Sequence, residues 1–206
     1  MEQDLSILIA DLSGYTALTE THGAMTAADL VDLFNGIVKE SLIGDSYLHQ
    51  AIGDEVLIIS SDPNHLAMTA TLLLNTTHNK AGFLQVHGGL HLGRLLKRND
   101  NFFGPSINLT SRIASKAAAG TILSSDVFLN SLSEKHRANF TYKGKLSFKN
   151  VSEEVELHEL VCNHERKFFI DPVCRMLVDD SAILHPDDSN IFFCSVECRN
   201  TFLTRV

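Results

Sequence analysis

A short stretch near the N-terminus, residues 6–16, constrains the fold more than any other part of the sequence. An apolar run at residues 7–10 leads into Asp11, and Ser13-Gly14 separates that run from residues with a helical pattern. This arrangement predicts a buried strand that passes directly into a helix. The strand then presents a carboxylate beside the free N–H groups of a helix start, where a metal-bound phosphate can bind. An aspartate at a strand end is also a common cap or turn residue, so Asp11 alone does not decide between a functional and a structural role.

Predicted helices and strands alternate along most of the remaining chain. Apolar residues recur at helical spacing over residues 27–43, and a hairpin follows with Gly53-Asp54 at its bend. The order β-α-β-β-α-β, followed by a helix and more strands, predicts an α+β layer fold with a ferredoxin-like core. The later predicted elements are a helix over 62–77, a strand over 86–96, a loop over 97–101, a helix over 105–119 and strands over 121–124, 140–148 and 154–161.

Composition and charge exclude several classes of protein. The chain has 206 residues, enough for one domain of ordinary size and a small appendage. Its net charge of −8 argues against a nucleic-acid partner, because phosphate backbones are bound by clustered cations. The N-terminus is acidic where a secretory signal is basic, and no apolar run approaches the length of a membrane span. We therefore expect a soluble, cytoplasmic protein that needs a divalent metal to bind any polyphosphate.

Three separate stretches combine into one candidate site. They read Ala-Asp-Leu-Ser-Gly-Tyr-Thr at 10–16, Ile-Gly-Asp at 52–54 and Phe-Gly-Pro-Ser-Ile-Asn-Leu-Thr-Ser-Arg at 103–112. In order, spacing and predicted secondary structure they resemble the class III adenylate/guanylate (nucleotidyl) cyclase catalytic domain, over about residues 5–161. The resemblance implies an α+β fold with a ferredoxin-like βαββαβ core of the class III cyclase type, in a catalytic domain over residues 1–162.

Paired carboxylates suit the chemistry of nucleotide cyclisation. Asp11 and Asp54, on neighbouring strands, can hold two Mg²⁺ or Mn²⁺ ions per site, because these cations prefer oxygen ligands. Two such ions activate the ribose 3′-hydroxyl and neutralise the phosphates. The resemblance adds the backbone carbonyl of Leu12 as a metal ligand, and it assigns phosphate binding to the backbone amides of the following loop. The loop residues are Ser13, Gly14, Tyr15 and Thr16.

Asn108 and Arg112 lie four positions apart on one predicted helix, so both can face a single substrate. In the family the asparagine orients the ribose and the arginine stabilises charge on the α-phosphate. Family sites form between two chains, so the resemblance implies a homodimer with two symmetric sites. It also implies that Lys149 binds the outer phosphates, although Lys143, Gly144 and Lys145 offer an alternative match. We interpret His87 and His91 as packed or surface histidines.

The positions that select the base differ from the family pattern. Adenylate cyclases carry a lysine and an aspartate there, whereas this chain has Gln50 and Asn101. An amide can donate or accept hydrogen bonds by rotating, so neither residue enforces adenine over guanine. We therefore expect weak base selectivity, with ATP as the first substrate and GTP possible. A pyrimidine nucleotide remains an alternative, because nothing at these positions demands a purine.

Cysteines are confined to the C-terminal end of the chain. Cys162 is followed by Cys174, Cys194 and Cys198, which suggests a connector over 163–170 and a small domain over 171–206. The Cys-x19-Cys-x3-Cys spacing resembles the metal-associated YHS (TRASH-type) domain, with Arg175 where a glycine is usual. Three thiolates suit Zn²⁺ or Cu⁺, with His185, His164 or Cys162 as candidates for a fourth ligand. Alternatively, the cysteines are small buried residues of a mini-fold.

The sequence thus predicts a homodimeric nucleotidyl cyclase that converts a nucleoside triphosphate to the 3′,5′-cyclic monophosphate and pyrophosphate. Its C-terminal domain is expected to sense metal or redox state or to mediate interactions. One alternative is a catalytically weak or inactive cyclase-like platform that binds nucleotide or dimerises, coupled to the metal-sensing domain. The other is a pyrimidine nucleotide cyclase.

Overall fold

A single mixed sheet organises the chain in the computed structural model, which describes residues 2–161 and 168–204. The strands of this sheet are β1 (Glu2–Ser13), β2 (Tyr47–Ile52), β3 (Glu55–Ser60), β4 (Gln85–Arg98), β5 (Asn101–Phe103), β6 (Ile122–Ser125), β7 (Phe140–Leu146) and β8 (Val155–Leu160). The helices between them are α1 (Tyr15–Ser41), α2 (Pro63–His78), α3 (Pro105–Ala114), α4 (Asp126–Ser131) and α5 (Glu134–Arg137).

The strand order is β2-β3-β1-β4-β6-β8-β7, and β5 pairs with β4. Strand β1 runs antiparallel to both β3 and β4. The first four strands with α1 and α2 therefore form the ferredoxin-like βαββαβ core that the sequence predicts. Strands β6, β8 and β7 extend the sheet beyond β4, to which β6 is parallel.

Strand β1 is buried on both faces, which explains its continuous apolar run. Leu8 and Ala10 belong to the large core between the sheet and helices α1 and α2. Ile7 and Ile9 point the other way, into a smaller core shared with α3. Because side chains alternate along a strand, Asp11 lies on the same face as Ile7 and Ile9. The strand thus delivers its carboxylate to the face that α3 partly covers.

Helix α3 approaches the backbone of β4 so closely that only glycine fits between them. A Cβ atom on Gly89 would lie 2.5 Å from the carbonyl oxygen of Thr110 and 2.6 Å from the backbone nitrogen of Ala114. Gly89 therefore allows the close packing of α3 on the strand. The helix ends at Ala114, earlier than the predicted residue 119, because the chain turns there toward Gly120, which has a φ of 81°.

Residues 97–101 form a hairpin rather than the predicted loop. Strand β4 continues to Arg98, and β5 begins at Asn101 and pairs back onto it. The two residues between them, Asn99 and Asp100, have φ values of 50° and 60°. Such positive φ values at both turn positions suit Asn and Asp and match the twist of the flanking strands. The polar composition of this segment therefore reflects a tight turn.

The C-terminal part, residues 168–204, is here called the C-terminal module. It contains β9 (Phe169–Ile170), β10 (Leu177–Val178), β11 (Ile183–Leu184), β12 (Phe192–Phe193) and α6 (Val196–Thr204), paired as β9 with β10 and β11 with β12. A small core of its own holds Val173, Cys174, Phe193 and Cys198. The module also docks on the sheet domain, because Leu177 donates to the carbonyl of Phe83 at 2.7 Å and accepts from Gly82 at 2.8 Å.

The predicted domain limits at 162 and 171 stay predictions, since most of the connector lies outside the described residues. Among the helices that the structure describes, none is long and apolar enough to cross a bilayer.

Candidate active site and metal centre

The two predicted metal-binding carboxylates meet at one end of the sheet. Asp11 lies near the end of β1, and Asp54 sits in the turn between β2 and β3, next to the strand that pairs with β1. Burial, together with a hydrogen bond to Asp11 and charge repulsion from it, raises the pKa of Asp54 to about 6. Two carboxyl groups this close disfavour their joint ionisation unless a cation lies between them. The geometry therefore suits a divalent metal.

His87, which the sequence indicates only as a packed or surface histidine, lies beside this pair. It pairs directly with Asp11 in the β1–β4 ladder, with its Nε2 atom 4.0 Å from an Asp11 oxygen. Its Nδ1 atom lies 2.9 Å from the Ser13 hydroxyl. Burial lowers the pKa of His87, and the charges of Asp54 and Glu55 partly oppose that effect. The imidazole is thus a mainly neutral group that orients Ser13 beside the carboxylates.

The loop after β1 leaves its helix start open. Gly14 occupies the cap position of α1 with a φ of 94°, and no side chain caps the helix. The first turn of α1 also lacks acidic side chains. The N–H groups of Tyr15 and Thr16 therefore point toward a site where an anion is favoured by the helix dipole. Leu12, just before the loop, has a buried apolar side chain. Its predicted role as a metal ligand therefore involves only its backbone carbonyl.

Asn108 and Arg112 lie in a different cavity on the same chain. The cavity has a volume of about 370 Å³ and lies between α3 and the loop at residues 150–152. His91 also lines it, buried and with its Nδ1 atom 2.8 Å from the Ser125 hydroxyl, as expected for a packed histidine. Neither Asp11 nor Asp54 is among the described residues that line this cavity. Within one chain, the two halves of the predicted site are therefore in different places.

The lysines near β7 differ in their surroundings. Lys143 and Lys145 form ion pairs with Glu159 and Glu156 on β8, at 3.2 Å and 2.8 Å. Lys149 is exposed, and its backbone carbonyl accepts a hydrogen bond from the Arg112 guanidinium. The Lys149 match therefore uses a lysine whose backbone contacts Arg112, whereas the alternative uses lysines that form ion pairs along the sheet.

The two predicted base-selecting amides are both exposed and lie on different strands. Gln50 is on β2, where the pairing with β3 shifts register, and Asn101 begins β5. The Asn101 amide donates to the carbonyl of Asn99 at 3.2 Å. Strands β2 and β5 lie on opposite sides of β1 in the sheet. Both amides are accessible, and their contribution to base selection stays a prediction.

The three C-terminal cysteines converge with a histidine from the sheet domain. Cys174, Cys194, Cys198 and His22 each offer a ligand atom, and these atoms all lie within 4.8 Å of one another. His22 lies on α1, far away in sequence, so no spacing pattern could indicate it. Among the candidates for a fourth ligand, His185 instead contacts the ring of Phe202 at 5.8 Å. His164 and Cys162 lie outside the described residues.

Two thiols of this cluster, those of Cys194 and Cys198, are poor nucleophiles without a metal. A hydrogen bond to Cys174, together with burial, raises the pKa of Cys194 well above its usual range. Burial raises the pKa of Cys198 to about 12. Reactive cysteines have lowered pKa values, so these residues do not form a typical redox-active site. Metal binding would instead deprotonate them.

Comparison with known proteins relates the chain to cyclases. An adenylate cyclase of Glutamicibacter nicotianae is 35% identical over 124 residues, which are 60% of this chain and 31% of that protein. An uncharacterised protein of Mycobacterium tuberculosis is 40% identical over 118 residues, 55% of this chain and 30% of that protein. The chain thus spans just under a third of the length of these curated relatives. No protein-family model matches the chain.

Solved cyclase structures have the same fold. An adenylate cyclase from Trypanosoma brucei superposes with a TM-score of 0.72 at 20% identity, over 86% of this chain and 93% of that one. The guanylyl cyclase Cya2 gives a TM-score of 0.64 at 18% identity, over 86% and 98%. These similarities support the resemblance to class III cyclases, while that of the C-terminal module to YHS domains stays a prediction. The chain has the mixed α+β fold of adenylate and guanylate cyclase catalytic domains.

Proposed function

We propose that this chain is a nucleotidyl cyclase that converts a nucleoside triphosphate, ATP in the first place and GTP as the alternative, to the 3′,5′-cyclic monophosphate and pyrophosphate. The observation that carries the proposal is the Asp11–Asp54 pair beside the uncapped start of α1. The pKa of Asp54 is raised first by burial and then by its contact with Asp11, so the ionised pair favours a cation. Next to it, free backbone N–H groups favour an anion. A metal–triphosphate complex satisfies both.

Different groups of the chain have different roles in the proposed reaction. Two Mg²⁺ or Mn²⁺ ions bound by Asp11 and Asp54 would activate the 3′-hydroxyl and neutralise the phosphates. The loop amides from Ser13 to Thr16 hold the phosphate oxygens. Asn108 orients the ribose, and Arg112 stabilises the charge that develops on the α-phosphate.

A complete site requires a second copy of the chain. The carboxylates and the Asn108–Arg112 cavity are separate within one chain. The first half lacks the groups for the ribose and α-phosphate, and the second lacks the metal-binding carboxylates. Strand β2, next to the carboxylates, also exposes the apolar side chains of Tyr47 and Ile52. We therefore propose a homodimer in which each site takes its aspartates from one chain and Asn108 and Arg112 from the other.

The test is incubation of the purified protein with Mn²⁺ and, separately, ATP, GTP, CTP or UTP, with cyclic product measured by mass spectrometry. We expect cyclic AMP and cyclic GMP in amounts within about a hundredfold of each other, because two amides discriminate weakly between purines. Asp54→Ala is the inactive control, and Asp180→Ala, at an exposed site in the C-terminal module, is the matched neutral control. No product from any nucleotide would favour an inactive platform, and product from CTP or UTP alone would favour a pyrimidine cyclase.

A further inference from the structure

The cluster of three cysteines and one histidine lies between the C-terminal module and the sheet domain. We propose that Cys174, Cys194, Cys198 and His22 bind one Zn²⁺ ion, which fastens the module to the first half of α1 beside the phosphate-binding loop. The histidine comes from the cyclase-like fold itself, so the ion would link two parts of the chain.

The distances between the donor atoms match those of a tetrahedral zinc site. With Zn–S bonds of about 2.3 Å and a Zn–N bond of about 2.05 Å, tetrahedral geometry separates two sulfurs by about 3.8 Å and sulfur from nitrogen by about 3.6 Å. The Cys174–Cys194 and Cys194–Cys198 sulfurs are each 3.5 Å apart. The His22 Nε2 atom is 3.5 Å from the sulfurs of Cys194 and of Cys198. A disulfide would bring two sulfurs to about 2.05 Å, so the arrangement fits an ion at the centre.

Asp171 fixes the two cysteine-bearing turns relative to each other. Its side chain is fully buried and accepts hydrogen bonds from the backbone N–H groups of Val173 at 2.7 Å and Cys174 at 3.2 Å. Its other oxygen accepts from the N–H of Cys194 at 2.8 Å. One carboxylate thus holds thiols from two turns that are distant in sequence. Such a supporting partner is typical of metal sites whose ligands are preorganised.

The same module also touches the phosphate-binding loop. A Cβ atom on Gly14 would lie 2.5 Å from the Cβ atom of Arg175, so the turn after Cys174 packs directly on this glycine. Helix α1 then runs from Tyr15 to His22 and breaks at Gly23, which has a φ of 82°. The segment between the loop and the break is therefore held at both ends by the module. Loss of the ion should loosen the loop amides that face the substrate.

The first experiment measures metal content. The protein is purified under reducing conditions without added metal, and zinc, copper and iron are quantified by mass spectrometry. We expect about one zinc ion per chain in the wild type, as in closed four-ligand sites. Cys194→Ser and His22→Ala should lower zinc affinity in a chelator competition at least about tenfold, and Asp171→Asn should lower it about 10- to 100-fold. His185→Ala, which alters a histidine of the module outside the cluster, should keep wild-type affinity.

Substitution of Co²⁺ for Zn²⁺ separates a ligand role of His22 from a folding defect. The visible absorption of Co²⁺ depends on its ligands, and His22→Cys should retain the ion while shifting the spectrum from three sulfurs and one nitrogen to four sulfurs. An unchanged spectrum in His22→Cys, or wild-type zinc affinity in His22→Ala, would overturn the proposal. Stoichiometric copper or iron without zinc, or a Cys194–Cys198 disulfide under reducing conditions, would also overturn it.

The second experiment tests the link to the loop and rests on the proposed function. Binding of a fluorescent ATP analogue with Mg²⁺ is measured before and after zinc is removed with a zinc-selective chelator. We expect about fivefold or greater weakening without zinc, a typical size for coupling between two sites. Unchanged or tighter nucleotide binding would refute the coupling. A zinc-loaded protein that binds no nucleotide would instead refute the proposed cyclase function and leave the zinc site intact.

Discussion

At the scale of single residues, the candidate site depends on side chains that the fold brings together from separate elements. Asp11 and Asp54 each come from a local pattern, a strand end and a hairpin bend, so the sequence could indicate both. Their proximity is visible only in three dimensions, as is the contact of His87 with Asp11. The same fold also buries His91 beside the cavity that Asn108 and Arg112 line, where its protonation affects stability.

The buried His91 predicts a loss of stability in acid. Burial lowers its pKa from 6.5 to about 4, and the charge of Asp126 opposes this only in part. Between these values the unfolded chain binds a proton that the folded chain does not, so stability is lost as pH falls from about 6.5 to about 4. The loss is on the order of 3 kcal/mol. Urea unfolding at pH 7, 5 and 4 measures it.

His91→Gln keeps a neutral group that can still bond Ser125, and it should remove most of this pH dependence. His136→Gln, at a partly exposed histidine, should leave the dependence as in the wild type. Parallel pH profiles for the wild type and His91→Gln would contradict the assignment.

At the scale of elements, α1 connects the two candidate sites. It begins at Gly14 in the phosphate-binding loop and carries His22 just before its break at Gly23. The residues that resemble a family motif and the residue that completes the metal cluster thus lie within about two turns of one helix. Only a short helical segment therefore separates the loop from the metal cluster.

Gly14→Ala should therefore lower the free energy of unfolding by more than its backbone strain alone. Gly14 and Gly82 have φ values of 94° and 72°, so alanine at either position is strained by about 1–2 kcal/mol. A Cβ atom at Gly82 meets nothing within 4 Å, whereas at Gly14 it overlaps the Arg175 side chain. We expect Gly14→Ala to destabilise the protein by about 1 kcal/mol more than Gly82→Ala, measured by urea unfolding.

Arg175→Gly provides the matching rescue. Arg175 itself has a φ of 70°, a backbone conformation that glycine adopts without strain. In the Arg175→Gly background the excess cost of Gly14→Ala should disappear, because the overlapping atoms are gone. Equal costs of Gly14→Ala with and without Arg175→Gly would show that the module does not press on the loop.

The elements that the sequence predicted are those with local signals. The apolar run of β1, the helical periods and the Gly53-Asp54 bend are contained in short windows, and the βαββαβ core follows from their order. Helices α4 and α5, with six and four residues, are too short to display a period. His22 could not be found because it is separated from Cys194 by 172 positions, and no ligand spacing extends that far.

At the scale of the whole molecule, the proposed site is shared between two chains. Asp54→Ala and Arg112→Ala should each be inactive, since each removes one half of both sites in its homodimer. Mixed chains should regain about a quarter of wild-type activity, because half of the dimers are mixed and each has one intact site. Cyclic nucleotide production after subunit exchange measures this.

A mixture of Asp54→Ala with Asp11→Ala is the control, because both variants damage the same half and no dimer has an intact site. No recovery in the first mixture, once exchange is verified by differential labelling, would refute the shared site.

The separation of His22 from the cysteines also determines when the metal site can form during synthesis of the chain. His22 and Cys198 are 176 positions apart, so the histidine leaves the ribosome before the last thiol, which follows all strands of the main sheet. Since domains fold as they emerge, the cyclase-like fold can form before the fourth ligand exists. A chain that stops before Cys198 would keep the candidate catalytic residues and lack the complete metal site. The ion would therefore distinguish chains that include Cys198 from chains that stop before it.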